Sequence, residues 1–348
     1  MNTFTIFENN KLTQLYIENE AYEGVKRIGA RVACDIGLVT DIAPEILTAP
    51  QQCKSDRVVI CATLGKSPFL EMLEASGRWS SAQIRGKREV YQVQVVSEPF
   101  ADMASVKEAL VIAGSDKRGT IYGMFRLSEL CGVSPLIYWG DVVPQKKDTV
   151  ILPIGDGLVS KEPSVRYRGF FINDEWPAFG NWCMETFGGV NAKAYEEIFI
   201  LLLRLKGNYL WPAMWDSVFS EEGPGLASAE LADMYGVVMG TSHHEPLCRA
   251  GAEWQRIYQR YGTDNTWSFV SNREAITEFW KDGILRNKPF ENVITIGMRG
   301  ESDSMLLPED AGLADNVQVI KDAIMAQHAL LREYMDKDLK DIPRMLAI

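Results

Sequence analysis

From Val165 onward the sequence alternates buried strands with single amphipathic helices, and each strand ends in a run of polar or aromatic side chains. The strands are VRYRGFFIND (165–174), NYLWPAM (208–214), VVMGTSHHEP (237–246) and NVITIGMRGESD (292–303). AKAYEEIFILLLRLKG, ELADMYG, AITEFWKDGILRN and VQVIKDAIMAQHALLREYM carry helical apolar spacing between and after them. Strands separated by single helices predict a parallel sheet, either doubly wound or closed into a barrel. The strand ends decide between the two. Asn173-Asp174-Glu175, Trp211 through Trp215, Ser242-His243-His244-Glu245 and Arg299 through Asp303 follow successive strands. A (β/α)8 barrel brings every carboxyl end to one mouth, whereas a doubly wound sheet concentrates such residues at one switch point. The barrel is therefore expected. A whole barrel takes about 250 residues, and the residues after Ser164 supply four units and a helical tail, so the expectation is a partial barrel. The final DIPRMLAI carries no helix cap, which points to a chain cut short.

The first part has a shorter rhythm. TQLYIE reads as a short strand, VVICATLG and EALVIAG as buried strands, and REVYQVQVVS as a half-buried one. Val25, Ile28, Val32, Ile36 and Val39 lie at helical spacing. SPFLEMLEASG is a capped helix, and the helix in SDKRGTIYGMFRLSELCGVSP should close at Gly132. The fold class is thus α/β: a small N-terminal α/β domain over 1–150, a linker over 151–163, and an incomplete TIM-barrel catalytic domain over 164–348.

A hydrophobic content of 46% with 24% charged residues fits a fully folded chain. The formal net charge of -11 argues against nucleic acid or an anionic membrane as partner, since either needs a basic face. An anionic ligand would then depend on individual arginines in a cleft. No basic n-region precedes an apolar stretch at the start, and no run of about 18 apolar residues occurs, which reads as cytoplasmic unless a leader was removed. The six cysteines are scattered without a CxxC pair, as expected of buried free thiols rather than a disulfide framework or a zinc site.

FFINDEWP, LLLRLKGNYLWPAMW, YGVVMGTSHHEPL and ITIGMRGESD together resemble the barrel of glycoside hydrolase family 115, and GSDKRGTIYGMFRLSELCGVSP resembles that family's N-terminal domain. The resemblance runs from about residue 20 to the end. It implies an inverting α-glucuronidase that removes α-1,2-linked glucuronic acid, or its 4-O-methyl ether, from glucuronoxylan or aldouronic acids, with no cofactor. It leaves the oligomeric state open. Such an enzyme needs a carboxylic acid and a carboxylate base about 6.5–9.5 Å apart.

The resemblance makes Asp303 the candidate general base; as a plain residue it could equally be a loop carboxylate or a helix cap. Asp174 is implied to contact the sugar or help position the catalytic water, with Asn173 and Glu175 beside it. Arg299 suits a paired hydrogen bond to a uronate carboxylate, a geometry lysine lacks, or else an ion pair with Asp303 or Glu301. His243, His244 and Glu245 suggest sugar contacts. A metal is not expected, because adjacent residues of an extended segment point to opposite faces, so one histidine alone would face inward. Trp211 and Trp215 fit either sugar stacking or core packing. The family's general acid, a glutamate after the fifth strand region, has no match here, and Glu301 lies in a different motif. The alternative to a working enzyme is a non-catalytic fragment that keeps a uronate-binding pocket.

Overall fold

The computed structural model describes residues 2–173 and 176–347, so the expectations placed on Asp174 and Glu175 fall outside the described residues. The chain divides into two compact units. The first holds Met1–Arg166, Ile200–Gly207 and Met234–Gly236; the second holds Tyr167–Phe199, Asn208–Asp233 and Val237–Ile348.

The first unit is built on a sheet whose strands run in the order Ile46–Leu47, Gln14–Tyr16, Arg57–Thr63, Glu108–Gly114, Tyr91–Ser97 and Leu158–Val159. Arg57–Thr63 and Glu108–Gly114 pair in parallel along their whole length, and six of seven residues in each are buried. That is the continuous apolar run expected of a strand covered on both faces. The Glu23–Thr40 helix buries Val25, Ile28, Val32, Ile36 and Val39, the stripe its spacing predicts. The Lys117–Cys131 helix starts where an Asp116 carboxylate oxygen accepts from Gly119 N at 2.8 Å and ends at Gly132 in the left-handed region. Gly119 is required there, since a Cβ would stand 2.4 Å from Val90 O. A buried ion pair completes the unit: Arg204 donates through Nη1 and Nη2 to the two carboxylate oxygens of Asp35 at 2.8 and 2.9 Å.

Two features depart from the sequence expectations. Thr3–Glu8 forms a strand between Lys11–Leu12 and Val150–Pro153. Val150–Pro153, pairing here, and Leu158–Val159, pairing with Tyr91–Ser97, thus place strands within the 151–163 stretch expected to be a linker. The cysteines are all free, but only Cys61, Cys131 and Cys183 are buried; Cys34 is exposed on its helix. No helix among the described residues is long and apolar enough to cross a membrane.

In the second unit Gly169–Phe171, Tyr209–Trp211 and Val238–Met239 pair in parallel in chain order. A parallel bridge from Met239 to Asn292 carries the succession to Ile294–Ile296, which pairs in parallel with Arg344–Leu346. Parallel neighbours in unbroken chain order are consistent with consecutive strands of a (β/α)8 barrel. Gly169 permits the first pairing, because a Cβ there would fall 1.5 Å from Tyr209 O. Arg344–Leu346 lies within the segment read from sequence as an uncapped end, and the helices Ala178–Phe187 and Gly251–Ile257 were likewise not expected. Trp254, Phe279, Trp280, Ile294, Ile296 and Leu331 form the centre of the core.

Candidate active site

The segment after Val238–Met239 leaves the extended conformation at once. Thr241 Oγ1 donates to Glu245 O at 2.8 Å, Glu245 N donates to Ser242 O at 3.1 Å, and His244 N donates to Ser242 Oγ at 3.3 Å. This turn removes the alternation on which the single inward histidine was argued. Both imidazoles face the same carboxylate: His243 Nε2 lies 3.0 Å and His244 Nε2 2.8 Å from Asp303 Oδ1, with ring centroids 4.1 Å apart. The expectation that one ring would point away is corrected by that geometry.

The partner segment is equally local in origin. Beyond Ile294–Ile296 the chain folds into a short 3-10 turn, Glu301–Asp303, closed by Ser304 N donating to Glu301 O and Gly300 N donating to Ser304 O. Asp303 itself has φ +67°, a left-handed conformation that aspartate tolerates better than most residues. The turn brings Arg299 back over Asp303, Nε 3.2 Å from Oδ1 and Nη2 donating to the main-chain oxygen at 3.3 Å. Trp267 Nε1 donates to Arg299 O at 3.0 Å and fixes the strand end from the other side.

Electrostatics follow from this arrangement. The His243 hydrogen bond, then the charge that His244 carries in acid and that of Arg299, hold the Asp303 carboxyl below the usual carboxylate range, so it is ionised at neutral pH. Burial first, and the neighbouring His243 second, push His244 down from the ordinary histidine value, so it is largely neutral there. An ionised carboxylate steadied by two imidazoles and a guanidinium can take a proton from water or hold a polar ligand.

A cavity of about 460 Å³ opens beside this group, lined by His243, His244, Arg299 and Glu301 together with Trp215, Asp216, Gln255, Arg256 and Trp267. That is room for a sugar ring. Trp215 stands against the His244 ring at 4.8 Å and forms one wall. Arg256, a second cation on the lining, donates to Glu222 at 2.6 Å and to Asp216 O at 2.8 Å. Glu301 accepts from Gln255 Nε2 at 2.6 Å.

Of the residues singled out from sequence, His243, His244, Arg299, Glu301 and Asp303 are thus gathered together. Trp211 is not on the cavity wall; its indole N–H goes to Tyr209 Oη at 2.7 Å and its ring meets Phe171. Glu245 is buried against a separate small void lined also by Ser220, Arg286 and Asn287. Asn173 is exposed. Gln255, Arg256 and Trp267 were missed. They come from the stretch around a seven-residue helix, Gly251–Ile257, too short to show a period.

The profile of glycosyl hydrolase family 115 matches residues 160–348. Among solved structures, a family GH115 4-O-methyl-α-glucuronidase with specificity for decorated arabinogalactans aligns at 29% identity and a TM-score of 0.80, over 98% of this chain and 42% of its own. A Streptomyces plicatus N-acetyl-β-hexosaminidase in complex with thio-NAglucal aligns at 12% identity and a TM-score of 0.51, over 95% of this chain and 61% of its own, a likeness of fold alone. The chain therefore spans less than half the length of that glucuronidase. No curated protein matches it.

Proposed function

This chain belongs to glycosyl hydrolase family 115, and on that premise we propose that it forms part of an inverting α-glucuronidase that removes α-1,2-linked glucuronic acid or 4-O-methylglucuronic acid from xylan or xylo-oligosaccharides. The observation that carries the proposal is the convergence of His243, His244 and Arg299 on the Asp303 carboxylate, these three residues also lining a sugar-sized cavity. In this scheme Asp303 is the general base. Ionised at neutral pH, it accepts a proton from the water that attacks the anomeric carbon. The histidines fix the orientation of its Oδ1. Arg299 turns part of its fork to the uronate carboxylate, and Trp215 offers a ring face to the sugar. Asp174 is proposed to assist with the water or the sugar. None of the described cavity residues is assigned the general acid, which the family resemblance places after the fifth strand region.

Decorated arabinogalactan is a second candidate for the polymer, favoured by the specificity of the aligned glucuronidase.

The test is incubation of the protein that carries this chain with aldouronic acids and with glucuronidated arabinogalactan oligosaccharides, following the released sugar by proton NMR from the first minutes. Inversion requires the β-anomer to appear first; the α-anomer first would reject it. Arg299→Lys should raise KM for the uronate about 10-fold or more with a smaller change in kcat, because a point charge replaces a planar fork. An unchanged KM would remove Arg299 from uronate binding.

A further inference from the structure

Three atoms of the kind that bind metals converge at the strand tips: His243 Nε2, His244 Nε2 and a carboxylate oxygen of Asp303 all lie within 4.8 Å of one another. Both nitrogens close on the same oxygen, at 3.0 and 2.8 Å. Their use of it differs. His243 makes a hydrogen bond to Oδ1, whereas His244 Nε2 is buried and has no hydrogen-bond partner despite its proximity. A ring nitrogen held against a carboxylate out of hydrogen-bond alignment has a lone pair or proton left for something else.

The spacing suits an ion. In a tetrahedral zinc site, nitrogen and oxygen ligands at about 2.0–2.2 Å from the metal stand about 3.4 Å from one another. Each nitrogen needs to part from the shared oxygen by about half an ångström, and the two nitrogens, within 4.8 Å of each other, to settle at the same spacing; Asp303 is on an exposed turn that can give. Two imidazoles and one carboxylate, with the fourth direction open to a cavity, are the donor set of an open zinc-type site; calcium and magnesium prefer all-oxygen shells. The backbone under the histidines is anchored, since Gly251 N donates to His244 O at 3.2 Å and Thr295 Oγ1 donates to Thr241 O. Arg299 Nε, 3.2 Å from the shared oxygen, opposes a cation and makes the site weaker than a structural zinc site.

We propose that His243, His244 and Asp303 form a binding site for a zinc-class divalent cation, and that an ion held there withdraws the Asp303 carboxylate from substrate. The binding stands on geometry alone; the inhibition rests on Asp303 being the base. Direct titration keeps the two apart. Zn2+ is titrated into the protein by calorimetry, and Co2+ is followed by the visible absorption of its tetrahedral complex. One ion per chain is expected, with Asp303→Asn and His244→Ala each weakening it at least about tenfold. His328→Gln, on the Leu313–Tyr334 helix, leaves it unchanged. Absence of one-to-one binding, or equal affinity in His244→Ala and Asp303→Asn, overturns the site. In the turnover assay excess Zn2+ should inhibit and EDTA should restore activity. Tight binding without inhibition leaves the metal site standing and counts against Asp303 as the base.

Discussion

Asp303→Asn should lower kcat by about 10²–10⁴-fold, the range that positioned proton transfer contributes, while leaving the fold intact. Asparagine keeps the size of the side chain and an oxygen that accepts from His243, but it cannot take a proton from water. Asp303 is about half exposed on a short turn, with a side-chain exposure of 48%, so little packing depends on its charge. Thermal unfolding of the variant should match the parent. The pH profile gives a second reading of the same group. The base is active when ionised, so activity is present above its pKa and lost as pH falls through it. Because His243, His244 and Arg299 hold that pKa down, the acidic limb of kcat/KM should fall below the ordinary aspartate value of about 3.9. His243→Ala removes the leading cause and should move the limb upward. Near-normal turnover in Asp303→Asn would withdraw the assignment.

The second large effect concerns stability. Arg204 and Asp35 are paired through both guanidinium nitrogens, and their side chains are only 6% and 5% exposed. The Arg204 guanidinium also lies 4.5 Å above the Phe125 ring, so the charge is enclosed on another side by apolar surface. Asp35→Ala strands this cation without its partner, at an expected cost of about 3–5 kcal/mol in the unfolding free energy. The urea midpoint at constant m-value reads the loss. The double replacement Asp35→Leu with Arg204→Met should recover most of it, because the penalty comes from the unpaired charge and not from the loss of the pair itself. A loss below about 1 kcal/mol in Asp35→Ala would mean that water or another group reaches Arg204.

How much of this was legible in the sequence follows from which forces are local. The buried strands VVICAT and EALVIAG and the Val25–Val39 stripe declare themselves through composition and period, since burial on two faces or one leaves those patterns. The cap at Asp116 and the stop at Gly132 are likewise short-range chemistry. Thr3–Glu8 is different: Phe4 and Ile6 alternate inward, but only pairing with Val150–Pro153, far along the chain, makes that segment a strand. Arg344–Leu346 is three residues long and depends on Ile294–Ile296 in the same way. At the site, the strand-tip rule located Arg299 and Asp303 because position at a carboxyl end is a property of the order of elements. The same rule singled out the histidine pair, but the expectation that one ring alone faces inward failed, since side-chain alternation assumes an extended chain and Ser242 turns it. Trp267 and Gln255 reach the cavity from loop and short helix, whose course tertiary packing decides.

The proposed uronate site is the cavity lined by His243, His244, Arg299 and Glu301. A crystal structure of the protein soaked with 4-O-methylglucuronic acid tests it most directly. The expected result is the sugar ring beside Trp215, its carboxylate paired with Arg299, and a water within about 3 Å of Asp303 on the face of the anomeric carbon. A sugar bound elsewhere, or bound here with Arg299 still turned away onto Asp303, would contradict it.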